Sequence, residues 1–83
     1  MSQHQKILDA ILTGRRDQNI RFDALLALLI RIGFDVRVRG SHHIPSRNGV
    51  AEILNLQPRP DGTAKPYQVK QVRDIIVKHQ LEA

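Results

Sequence analysis

Phe34-Asp35-Val36-Arg37-Val38-Arg39-Gly40-Ser41-His42-His43-Ile44 is the stretch on which the fold turns. Apolar Phe34, Val36 and Val38 alternate with charged Asp35, Arg37 and Arg39, a period of two that an extended strand converts into one apolar and one polar face. Gly40-Ser41 is a two-residue loop of the Gly-X kind that closes tight hairpins, and residues 42–46 read as the returning strand. Asn48-Gly49 is a second hairpin signal, after which residues 50–56 read as a third strand. Pro45 has no N–H to give to a ladder, so the middle strand is expected to bend or end there.

Helical periodicity flanks these strands. Ile7, Leu8, Ile11 and Leu12 recur at helical spacing within residues 4–13, and Gly14 stands where that helix would stop. Arg15-Arg16-Asp17-Gln18-Asn19 is a charged connector. Across residues 22–32, Phe22, Leu25, Leu26, Leu29 and Ile32 form a wide apolar face, with Asp23 in the first turn and Gly33 at the stop. This helix is expected to anchor the core. Residues 57–64 are loop material, rich in Pro, Gly and Asp. Pro66 fits the first position of a last helix, where its missing N–H costs nothing. Tyr67, Val69, Val72, Ile75, Ile76 and Leu81 supply its buried stripe. The order is α-α-β-β-β-α in one domain over residues 1–83: an α+β fold with a three-stranded antiparallel sheet, helices on one face and water on the other. Without the extra helix at 4–13, the core at 20–81 has the α-β-β-β-α order of double-stranded-RNA-binding domains (dsRBD-like), a likeness of fold that does not by itself carry function.

Eighty-three residues, 41% of them apolar, suffice for one small core. No cysteine is present, which excludes disulfides and thiolate metal sites. The longest apolar run, residues 24–30, falls far short of the ~20 residues of a membrane span. The polar residues 1–6 are followed by no signal-peptide core, so a cytoplasmic protein without a membrane partner is expected. Thirteen Lys and Arg against eight Asp and Glu give a net charge of +5. In a small domain such a balance is the footprint of a polyanion binder, and it would also suit an acidic protein partner. Between Arg31 and Arg47 lie Arg37 and Arg39, with Asp35 the one acid.

The chain has no His-Glu-x-x-His and no phosphate-binding Gly-rich loop ending in Lys-Ser/Thr. Its acids are scattered singly, with nothing like the converging carboxylates of a two-metal nuclease, so neither metal nor cofactor is expected. What can do chemistry is Gly40-Ser41-His42-His43. An imidazole titrates near neutrality, at about pH 6.5 when unperturbed, and so gives and takes protons there. Cleaving RNA without metal needs that proton traffic between the 2′-hydroxyl and the leaving 5′-oxygen. Arg37 and Arg39 share one face of their strand and can meet a phosphate beside such a histidine. Arg47, together with Lys65, Lys70 and Arg73 around the start of the last helix, adds candidate phosphate contacts. Adjacent hairpin histidines are nonetheless more often solvated than catalytic, and charges on an outer strand face are often only solvated. Strand alternation lets just one of the pair face a substrate. His4 and His79 stand in no charged constellation and read as surface residues.

The Phe22-x-x-Leu25 helix ending Ile32-Gly33-Phe34, the basic strand leading to Gly40-Ser41-His42-His43-Ile44, and the closing segment Lys65-Pro66-Tyr67-Gln68-Val69-Lys70-Gln71-Val72-Arg73-Asp74-Ile75-Ile76 together resemble the HicA family of type II toxin–antitoxin systems. The likeness runs from Arg21 to Leu81. It implies a dsRBD-like fold and an endoribonuclease, an mRNA interferase that cleaves transcripts and is neutralised by a HicB-type antitoxin lying over the active site. The family's catalytic histidine follows the Gly-Ser pair and falls on His42, with His43 in reserve; Gly40 and Ser41 would approach the RNA with it. Many members carry a Val-Pro-x-His-like segment after the third strand, where this chain has Asn55-Leu56-Gln57-Pro58, so no second histidine is carried over. A non-catalytic RNA-binding module of the same fold is the competing reading, and a protein-interaction domain with an acidic partner is a third.

Overall fold

In the computed structural model, residues 3–83 are described; Met1 and Ser2, the start of the expected single domain and of its polar N-terminal stretch, lie outside them. Among the described residues, three helices and a two-stranded antiparallel sheet make a small α+β fold in the order α1 (Gln3–Thr13), a 3-10 turn (Asp17–Asn19), α2 (Phe22–Ile32), β1 (Asp35–Arg39), β2 (His42–Ser46) and α3 (Pro66–His79). Both expected glycine stops function. Gly33 takes φ 113°, which an L side chain resists, and its N–H reaches the Ile30 and Leu29 carbonyls while Phe34 N–H bonds Leu29 O at 2.9 Å. The chain thereby leaves α2 pointed directly into β1. Pro66 sits in the first turn of α3, as its ring requires.

One cluster forms the core. Ile11 from α1, Leu25, Leu28 and Leu29 from α2, Leu56 from the segment after the hairpin, and Val69 and Val72 from α3 are all fully buried. Leu28 was not in the apolar face read from the sequence, whereas Leu26 is only partly buried. The buried face of α2 therefore takes in Leu28 and leaves Leu26 at its edge. Tyr67 is a correction of the same kind. Expected in the buried stripe of α3, it is 60% exposed, because the stripe at that level is filled by Gln68 and Val69. No helix among the described residues is long and apolar enough to cross a membrane.

β1 and β2 pair in the register Asp35 with Ser46, Arg37 with Ile44 and Arg39 with His42. Residues directly opposite in an antiparallel pair share a face. Arg37, Arg39, His42 and Ile44 thus stand on one face, and Val36, Val38, His43 and Pro45 on the other. In the second set Pro45 is buried and His43 meets Phe22 of α2, while Val38 near the hairpin loop stays exposed.

The expected third strand at residues 50–56 is not a regular strand. Asn48-Gly49 makes its turn, with Gly49 at φ 88° and Val50 N–H on Arg47 O at 3.0 Å, and the chain then runs antiparallel beside β2. His43 and Leu56 exchange both backbone bonds at 2.8 Å, and Leu54 N–H reaches Pro45 O at 3.3 Å. Proline has no N–H to return at that rung, so the ladder breaks where the next pair would close it. The residue expected to interrupt the middle strand leaves that strand paired with β1 and instead deprives its other neighbour.

Candidate functional site

The hairpin loop brings the basic strand to the first histidine. Gly40 has φ 59°, and Ser41 is not in the left-handed region, the pattern of a two-residue loop with glycine first. His42 is therefore set directly across from Arg39, with Arg37 one pleat further along the same outer face. All three are exposed. His43, one residue on, turns the other way. Its ring packs edge-on against Phe22 at a centroid distance of 4.9 Å and 71° between planes, and its Nδ1 is buried without a hydrogen-bond partner among the described residues. Of the two adjacent histidines, only His42 presents its ring to solvent beside the arginines.

A layer of amide side chains supports this corner. His42 Nδ1 is 2.9 Å from Asn55 Oδ1. Gln57 Nε2 donates to Ser41 Oγ at 2.9 Å, and Lys65 Nζ donates to Gln57 Oε1 at 3.3 Å. Beneath them Gln68, 5% exposed and the one buried polar side chain among the described residues, accepts from Gln57 N–H at 3.1 Å and donates to Asn55 O at 3.2 Å. A side chain of α3 thus stands in for a further strand along the outer edge of residues 55–57, satisfying backbone groups that face away from β2. Asn55 and Gln57 flank inward-facing Leu56, so both project on the side of His42 and Ser41. None of Asn55, Gln57 and Gln68 was singled out from the sequence as a site residue. The only signal was the spacing of Asn55 and Gln57, two apart in an extended run, which becomes informative once the register with β2 is known.

The other candidates are spread over the molecule. Lys65 joins the cluster through Gln57. Lys70 is exposed and pairs with Asp74 one turn on at 3.2 Å. Arg73 lies inward rather than toward the hairpin: Nη1 donates to Ile11 O at 3.1 Å and to Asp17 at 3.0 Å, tying the end of α1 and the 3-10 turn to α3. Arg47 is at the far end of the hairpin, its side chain lying over Gly33. His79 is not the isolated surface residue the sequence suggested. Its Nε2 is 2.9 Å from Glu52 Oε1, and Lys78 Nζ is 2.9 Å from Glu52 Oε2. Hydrogen bonds from Lys78 and His79 hold the Glu52 carboxyl down at about 2.

The arrangement is an exposed imidazole with one nitrogen engaged by an amide, two guanidinium groups on the same open face, and a lysine and a serine on the flank. Such a group can hold a phosphate and move a proton next to it. No protein-family model matches the chain, and no match emerges among curated proteins or solved structures.

Proposed function

We propose that the chain is a ribonuclease toxin of the HicA kind, an mRNA interferase whose outer hairpin face grips RNA and whose His42 carries the proton traffic of cleavage. The observation that supports it is the placement of His42: exposed, directly opposite Arg39 on the face that also bears Arg37, while His43 packs against Phe22. The resemblance of the Gly-Ser-His-His and closing-helix motifs points the same way. Arg37 and Arg39 neutralise the reacting phosphate, and guanidinium groups suit that task because their donors match two phosphate oxygens at once. In the reaction O2′ bonds to phosphorus as its proton passes to the imidazole. The P–O5′ bond breaks with its electron pair on O5′, which takes a proton from water; the products are a 2′,3′-cyclic phosphate and a 5′-hydroxyl. A HicB-type antitoxin would neutralise the protein by covering this face, and mRNA is its substrate.

Incubation of the purified chain with RNA tests the reading, with product ends analysed chemically. Cyclic-phosphate ends from the wild type and a severe loss of them from His42→Ala, with RNA affinity nearly intact, would bear it out. Salt-sensitive binding without cleavage would instead make the chain a non-catalytic RNA-binding module, and binding that is flat in salt would remove RNA altogether.

A further inference from the structure

We propose that Asn55 is a positioning residue for His42: its carboxamide oxygen holds the imidazole as the tautomer protonated at Nδ1, which leaves the Nε2 lone pair as the atom turned to substrate. The inference deepens the nuclease reading and rests on it for its catalytic meaning. His42 Nδ1 lies 2.9 Å from Asn55 Oδ1. An amide oxygen only accepts, so Nδ1 is the donor, and a neutral imidazole has a single N–H. Nε2 is then bare and basic, without a hydrogen-bond partner among the described residues. A histidine left to itself in water favours the opposite tautomer, in which the lone pair would sit at Nδ1, closer to its own backbone and away from the open face.

The hold is built rather than incidental. Residues 55–57 are pinned from both sides: Leu56 exchanges two 2.8 Å backbone bonds with His43, and the buried Gln68 clasps Asn55 O and Gln57 N–H from α3. The segment that delivers the carboxamide is thereby locked to the residue next to the histidine it serves. Gln68 acts at one remove, through the backbone of Asn55. With Nε2 as the base, the O2′ proton passes to it while O2′ bonds to phosphorus. The imidazolium so formed keeps its Nδ1–H on Asn55 and returns the Nε2 proton to solvent after the 5′-oxygen has left.

Nitrogen NMR of the imidazole in the intact, uniformly labelled protein, recorded where His42 is neutral, reads the tautomer directly. The wild type should show the proton on Nδ1. Asn55→Leu should lose that tautomer, with kcat for RNA cleavage falling about tenfold or more and KM little changed. Asn55→Asp keeps an acceptor oxygen in place and should retain the tautomer. A wild-type ring protonated at Nε2, or an Asn55→Leu ring unchanged from wild type, overturns the proposal. The tautomer signal decides the role of Asn55, and cleavage by the wild type separately decides the nuclease reading, so the two fail in different ways.

Discussion

The two faces of the hairpin are separated by one residue of sequence and behave as different materials. On the outer face His42 looks across at Arg39 in solvent, with its Nδ1 on Asn55. On the inner face His43 lies against Phe22, beside the buried Pro45. Residue type does not distinguish the two histidines; the environment does, and it does so because the helices cover only one side of the sheet. A reactive group needs a charged, open surface, and an inward ring needs packing partners. The strand pleat supplies both from adjacent positions.

That contrast is open to attack by substitution. The largest effect is expected from His42→Ala, which should reduce RNA cleavage by about 10²–10⁴-fold, the usual contribution of a positioned acid or base. Its stability should stay within about 0.5 kcal/mol of wild type in urea denaturation, as for other exposed sites. Equal losses of stability from both histidines would erase the distinction between the faces. On the inner side, Leu56→Ala removes a fully buried side chain and should destabilise the fold by about 2–5 kcal/mol, seen as a lowered urea midpoint. This variant also tests whether residues 55–57 need their inward anchor to hold Asn55 near His42.

Smaller effects sharpen the comparison. Arg39→Ala should weaken RNA binding and reduce the slope of log affinity against log salt by about 1, with little change in melting temperature. Arg73→Ala should leave that slope nearly unchanged and lower stability instead, because its guanidinium holds Ile11 O and Asp17. The smallest effect belongs to the far end of α3. The Glu52 carboxyl is held at about 2 against an ordinary 4.5, so its contribution to stability is fully present above about pH 4.5 and fades as the pH falls toward 2. Glu52→Gln should therefore lose stability at neutral pH and show a shallower acid dependence below pH 4.5, in denaturation curves taken across that range.

Much of the framework is legible in the sequence. The helix stops at Gly14 and Gly33, the Gly40-Ser41 loop and the Pro66 start all lie where turn chemistry put them. The expected rule that only one histidine would face outward also rests on local pleating. The departures from local expectation involve neighbours distant in sequence. Periodicity places Tyr67 in the core, yet the buried position beside it is occupied by Gln68, a polar residue whose partners lie 11 and 13 positions away. His79 gained an acid, Glu52, 27 positions distant. The segment expected as a third strand pairs only in part with β2 because Pro45 offers it no N–H, a consequence that depends on which side of β2 each backbone group faces.

Alternation, helical spacing and turn residues are local properties, because they follow from backbone sterics within a few residues. From them the chain alone determined its three helices, its hairpin and the common face of Arg37 and Arg39. Which side of the hairpin is covered is a matter of packing. Only the docking of α2 against His43 and of α3 against residues 55–57 decided that His42 stands in the open with an amide behind it. The meeting of His42 and Asn55 across thirteen positions is set by the pairing of the intervening chain, and no local property specifies that register.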